Sequence, residues 1–258
     1  WGWTASDENP EFWDYLARRC RQEGCLYTQS VYPDYYTSKV YARGKNNHAI
    51  LPTGVALKAG LDGIERHYRV TNLAQTQLLL LERAIRHDVK LINYVTWNDF
   101  PEGHHLAPEA SHNFGPSLLL RHFKRRWKSG KEDILQDEAI VFFKKYRHDA
   151  KPKYPVELKV KSRNRNLAGE DRIELVTLLR KPARCTLNGK SLGMVGQGLR
   201  VHSIPSEPGP VRVLVVREGK QVIRFKTPLA ISNSPLRTDR LTYSYSSSFE
   251  DEYRKLFD

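Results

Sequence analysis

Apolar positions recur at helical spacing in several stretches of the chain. Asn9-Pro10 places a capping residue before a proline at the first helical position. Phe12, Trp13, Leu16 and Cys20 then share one face, and Gly24 closes the helix. A second helix is expected from Asn72, with Gln75 as its capping-box partner and Leu73, Leu80, Leu81, Ala84 and Ile85 as its apolar face. Pro116 opens a third helix that ends near Gly130, and a fourth is expected over roughly residues 132–147. Residues 26–31 (LYTQSV) and 90–97 (KLINYVTW) are short apolar runs that read as strands, the second as a buried parallel one. Strand, helix, strand and helix follow one another without a hairpin, which argues for parallel βα units. The connection over residues 32–70, rich in Tyr, Gly, Asn and Lys, reads as a long functional loop.

The pattern changes after residues 149–155 (DAKPKYP), a polar stretch with two prolines that reads as a linker. Beyond it, apolar alternation and tight turns predominate. Asn188-Gly189 lies between two strand-like runs, and Glu218-Gly219-Lys220 joins another pair; both are hairpin signals. The expectation is an antiparallel β-sandwich. The tail, residues 233–258, carries Tyr243, Tyr245, Phe249, Tyr253 and Phe257 and is expected to dock as a strand and a short helix. The chain thus reads as α/β over residues 1–148, a linker over 149–155, and all-β over 156–258.

Composition narrows the classes. Five Trp, thirteen Tyr and nine Phe in 258 residues exclude a disordered chain. No apolar run approaches the ~20 residues of a membrane span, so no membrane partner is expected. Three cysteines without a CxxC pair disfavour a structural zinc site, and no metal or cofactor is expected. Lys+Arg 42 against Asp+Glu 29 leaves a net charge of +13. That excess invites a polyanion, and it would equally serve association with acidic cell-wall polymers. Its densest run, residues 121–128 (RHFKRRWK), falls on the third predicted helix, where it reads as a solvated face with Trp127 turned to the core. No nucleic-acid motif accompanies the charge, so nucleic acid is not expected as a partner.

The informative segment is residues 96–108, TWNDFPEGHHLAP. It begins where the buried strand 90–97 ends, and it sets Asp99 and Glu102 three residues apart among Trp, Asn and two His. Glycoside hydrolysis needs two carboxyl groups about the scissile bond, one to protonate the leaving oxygen and one to attack or to activate water. Aromatic rings stack on sugar faces, and Asn or His hydrogen-bond the hydroxyls. A bare D-x-x-E pair is common in surface loops; the neighbours give this one its weight.

The segment resembles the TWNDYGESHYIGP signature of glycoside hydrolase family 71, the α-1,3-glucanases or mutanases. Thr96, Trp97, Asn98, Asp99, Glu102, His104 and Pro108 match, Phe100 and Leu106 are conservative changes, and Pro101, Gly103, His105 and Ala107 depart from it. It also resembles the WNEW-x-E signature of the related endo-α-mannosidase-like family, with Asp99 in place of Glu. The resemblance implies the last strands of a (β/α)8 (TIM) barrel followed by the sandwich. Trp1-Gly2-Trp3-Thr4 would end strand six, residues 27–36 (YTQSVYPDYY) would be strand seven with its loop, and residues 90–97 strand eight. A whole barrel takes roughly 250 residues, so the chain is expected to be the C-terminal part of a longer hydrolase.

Carried over by the resemblance, Glu102 is the general acid and Asp99 the base, acting with inversion on an α-glucan, an endo-cleaved α-1,3-glucan by expectation. Trp97, Asn98, His104, Tyr32, Tyr35 and Trp3 are the expected substrate contacts. One of Asp7 and Glu8, after a strand end, is a further candidate, whereas His48, His105 and His112 read as ordinary loop histidines. The resemblance further implies a protein that works outside the cell or in its envelope, and a monomer is expected. The alternative is a non-catalytic carbohydrate-binding or structural module derived from such an enzyme.

Overall fold

In a computed structural model, residues 8–44 and 50–248 are described. In chain order the elements are α1 (Pro10–Gln22), β1 (Thr28–Val31), β2 (Tyr41–Ala42), α2 (Thr53–Ala59), β3 (Ile64–Tyr68), α3 (Ala74–Arg86), β4 (Leu91–Tyr94), α4 (Gly115–Ser129), β5 (Glu138–Lys144) and β6 (Glu157–Val160). There follow β7 (Arg172–Leu179), β8 (Ala183–Leu187), β9 (Lys190–Val195), β10 (Gly198–Pro205), β11 (Gly209–Arg217), β12 (Lys220–Ile231) and β13 (Thr242–Ser246). They form two compact units. The first comprises Trp1–Leu106, Asp149–Leu167 and Ser234–Leu241; the second comprises Ala107–His148, Ala168–Asn233 and Thr242–Asp258.

In the first unit, α1 starts as its residues dictate. Asn9 Oδ1 accepts the Phe12 amide at 3.2 Å, and Pro10 occupies the first turn. Its anchor to α3 is polar: Asp14 pairs with Arg83 at 3.0 Å and with His87 at 2.8 Å. Phe12, expected on the buried face, is exposed. α3 buries Leu78, Leu80, Leu81 and Ala84, but it starts two residues later than expected. No side chain caps it; Asn72 and Leu73 both adopt positive φ, and Gln75 donates its amide to the Asn72 carbonyl instead of forming a capping box.

The α3 crossover makes β1 and β4 parallel neighbours, paired from Thr28↔Leu91 to Val31↔Tyr94. The pair forms a two-stranded sheet of its own, and among the described residues no barrel closes around it. The stretch proposed as strand six, with Trp3, lies outside the described residues, as does His48. The connection over residues 32–70 is structured rather than a plain loop. It contributes β2, α2 and β3, and β3 pairs antiparallel with β2 and parallel with β6. β6 thus lies in the first unit although it follows the polar stretch 149–155.

The second unit holds two four-stranded antiparallel sheets, ordered β10-β7-β5-β13 and β12-β11-β8-β9. Here the sequence expectation fails most clearly. Residues 138–144 (EAIVFFK), placed in a fourth helix, form the inner strand β5 between β7 and β13. All seven are buried. A contiguous Ile-Val-Phe-Phe run has no helical period, and burial on both faces suits it to an inner strand. The hairpins form where expected. Asn188 and Gly189 adopt φ +49° and +78°, and Glu218 and Gly219 +52° and +75°, joining β8 to β9 and β11 to β12 through two-residue turns. Tyr245 of β13 meets Phe225 of β12 at 5.2 Å between ring centroids. α4 starts at Gly115, as its Pro116 predicts, and turns Leu118, Leu119 and Phe123 inward. A Cβ at Gly115 would collide with Ser244, so only glycine lets the helix start there.

Leu175 on β7 is fully buried in the inner pair of its sheet. Leu175→Ala should lower stability by roughly 2–5 kcal/mol, measured by denaturant unfolding at pH 7. A loss below 1 kcal/mol would mean that the strand core repacks freely.

Candidate active site

Asp99, Glu102, Trp97, Asn98 and His104 lie in the first unit, on the loop that leaves β4. The Val95 amide donates to Val31 at 2.9 Å and carries the parallel pairing one residue beyond the strand. The Val95–Thr96 peptide is cis. The Thr96 amide then donates to the His104 carbonyl at 2.6 Å, and the Leu106 amide donates back to the Thr96 carbonyl at 2.9 Å, so both ends of the loop are tied together. Thr96 Oγ1 accepts the Asp99 amide at 2.9 Å. Phe100–Glu102 is a single 3-10 turn, ended by Gly103 in the left-handed conformation. A Cβ on Gly103 would lie 2.9 Å from the Tyr36 carbonyl and 2.6 Å from Leu241, so this departure from the family motif is a steric requirement here.

A second segment holds the loop. Tyr36 donates its amide to the Glu102 carbonyl at 3.1 Å, and Ser38 donates to the Pro101 carbonyl at 2.7 Å. One residue further, Lys39 Nζ meets Glu102 Oε1 at 2.6 Å. His104, fully buried, sets Nε2 3.3 Å from Asp99 Oδ2 and 3.2 Å from Glu102 Oε2. The three side chains therefore converge: one ligating atom of each lies within 4.8 Å of the others. The turn explains the closeness, because an extended segment would have set the carboxylates further apart. Behind them the Tyr35 ring meets His104 edge-on at 5.8 Å. Arg69 covers the Tyr35 ring at 5.9 Å and pairs with Glu8 at 2.6 Å.

Electrostatics follow from these contacts. The hydrogen bond from His104 holds the Glu102 carboxyl at about 2, with Lys39 adding to it and burial opposing. The bond to Glu102 raises Lys39. Burial, with the Glu102 charge beside it, pushes the Tyr35 phenol well up, so it stays protonated. Asp99, Glu102 and His104 are close enough to share a cation, but the Lys39 ammonium already supplies a positive charge on Glu102.

Of the expected sugar contacts, Asn98 and Trp97 are exposed on the loop, the Trp97 ring at 63%. Tyr35 is half-buried beside His104, whereas Tyr32 is buried, so its ring presents no face to a sugar. Lys39 and Arg69 were missed by the sequence reading. Nothing in local spacing links Lys39 to a carboxylate 63 residues away; the Tyr-rich composition of its segment was the only available signal.

The carboxylate pair stands at the carboxyl end of a parallel strand, with the exposed Trp97 on the same loop. The model of glycosyl hydrolase family 71 matches residues 68–247, and the chain belongs to that family. No curated protein and no solved structure matches the chain. The protein is accordingly a glycoside hydrolase by family.

Two outcomes test this geometry. Gly103→Ala should destabilise the protein by about 1 kcal/mol or more, seen as a lower unfolding midpoint; an unchanged midpoint would mean that the Tyr36 strap is loose. The second concerns pH. Glu102 titrates at about 2 in the folded chain, below the roughly 4.3 of an unperturbed glutamate. Its contribution to stability is complete above that ordinary value and is lost as pH falls toward the folded one. Lys39→Met should therefore be less stable than the parent at pH 6, with the difference narrowing by pH 2. A constant difference would remove Lys39 from the control of Glu102.

Proposed function

We propose that the protein hydrolyses an α-glucan, with α-1,3 linkages as its target, through Asp99 and Glu102. The observation that supports this reading is the convergence of the two carboxylates on buried His104, in a family of glycoside hydrolases. In this reading β1, β4 and α3 are the closing end of a (β/α)8 barrel, and the two antiparallel sheets are its accompanying sandwich. Trp97 would stack on a glucose ring, and Asn98 would bond its hydroxyls.

The roles of the pair follow from protonation. Catalysis needs one carboxylic acid and one carboxylate. Lys39 and His104 hold Glu102 ionised in the free protein, a state suited to activating water. For Glu102 to donate the leaving-group proton, as the family resemblance implies, substrate has to displace the Lys39 ammonium; otherwise the donor is Asp99. If Glu102 donates, the alkaline limb of the kcat profile lies at much higher pH than that of kcat/KM. Coincident limbs assign the proton to Asp99. Spacing bears on stereochemistry too. Inverting pairs stand roughly 6.5–9.5 Å apart, and the pair here approaches within 4.8 Å. The anomer first released, followed by NMR, decides between inversion and retention.

Asp99→Asn and Glu102→Gln should each lower kcat on α-1,3-glucan by about 10²–10⁴-fold, measured as reducing ends released by the full-length protein. If both variants keep the parent's rate, the pair is not catalytic. If the parent retains glucan but releases no ends, the chain is the binding module of the alternative reading.

A further inference from the structure

The outward face of the sheet β12-β11-β8-β9 is basic in a way that the fold does not require. None of its four strands contains Asp or Glu. Arg184, Arg212, Arg224 and Lys226 all stand on it exposed. Arg212 and Lys226 are direct cross-strand neighbours, and the next row sets Leu214 against Arg224. One row on, Val216 faces Arg184. Adjacent side chains on such a face are roughly 4.5–5.5 Å apart across strands, and rows repeat at about 7 Å. Among the described residues none of the four cations has an ion pair or a hydrogen bond through its side chain.

Their neighbours at the sheet margins behave differently. Arg217 is held bidentately by Asp137 at 2.7 and 2.8 Å, and Lys190 pairs with Glu207. Glu218 lies in the β11–β12 turn at the edge of the sheet. Like charges set directly opposite destabilise a sheet. A fold under no other demand would interleave acids there, as it does at the margins.

We propose that this face binds an acidic polysaccharide, a glycan chain bearing carboxylates along its length. Charge complementarity gives the sign of the partner. The residues between the cations, Thr186, Leu214, Val216 and Met194, are small or aliphatic, so the face offers no aromatic ring for base stacking. That argues against single-stranded nucleic acid. A flat row of free guanidinium and ammonium groups suits a carboxylated sugar chain lying across the strands. The inference rests on strand register and exposure in the second unit; it stands or falls independently of Asp99 and Glu102.

The test uses the full chain and polygalacturonate as probe, with an uncharged glucan as control. Binding to polygalacturonate should weaken about tenfold or more between ~50 and ~200 mM salt, as counterion release requires. R212S/R224S/K226S should weaken binding at least tenfold at low salt and flatten its salt dependence. Its melting temperature should not fall, because the change relieves like-charge opposition. R184S alone should lower affinity in the same direction. K124S/R125S, which removes two exposed cations of α4, should leave the affinity within twofold. The proposal is overturned if the triple variant binds like the parent, if the α4 variant loses as much, or if duplex DNA displaces the parent from polygalacturonate at equal charge.

Discussion

Everything at the candidate site depends on one buried histidine. His104 lies beneath the β4 loop with its Nε2 between Asp99 and Glu102, while its own carbonyl accepts the Thr96 amide. A single residue thus closes the loop through its backbone and gathers the carboxylates through its side chain. A ring removed from water strengthens each of those contacts, because no solvent competes for them. Two acids drawn so close would repel one another without a positive or hydrogen-donating partner between them. Lys39 completes the neutralisation from a separate segment, held there because Tyr36 and Ser38 bond the backbone of the same turn.

The arrangement connects local sequence to chemistry through ordinary steps. A parallel strand delivers the chain to the sheet's carboxyl end, where α/β proteins place their ligands. A threonine hydroxyl, a proline and a left-handed glycine then coil the next residues into one 3-10 turn. The turn decides the spacing of the acids, and the spacing decides what they can do before substrate arrives. Glu102 rests as a carboxylate in an ion pair with Lys39. Tyr35, protonated and capped by Arg69, closes the inner wall behind the histidine.

The second unit follows a different rule. Its sheets are organised by contiguous apolar runs and by two-residue turns. Its inner strand β5 carries charged ends: Glu138 reaches Arg121, and Lys144 bonds Thr242 at 3.0 Å. Burial of those groups is tolerated because each has a partner. The basic excess of the composition is spread unevenly over this scaffold. On α4, Arg121 is already engaged by Glu138, whereas on the outer face of β12-β11-β8-β9 the cations stand without acids. Net charge alone would have pointed to the helix; strand register points to the sheet.

What the sequence determined by itself was local and chemical. Asn9-Pro10, Pro116 and Gly130 bounded helices, and Asn188-Gly189 and Glu218-Gly219 bounded hairpins, because each acts through its own dihedral angles or its own nearest amides. The motif over residues 96–108 pointed to the family, since that signature is a contiguous string. Tertiary structure decided the rest. Residues 138–144 became a strand because two neighbouring strands bury both of its faces, which no periodicity in that run could announce. The capping box at Asn72 gave way to a positive-φ entry into α3. Asp99 and Glu102 came to lie on one 3-10 turn, closed by contacts with residues 36–39. Lys39 joined the site across 63 residues of chain, and an ion pair of that span has no signature in a linear pattern. It exists only once backbone hydrogen bonds have set two distant segments side by side.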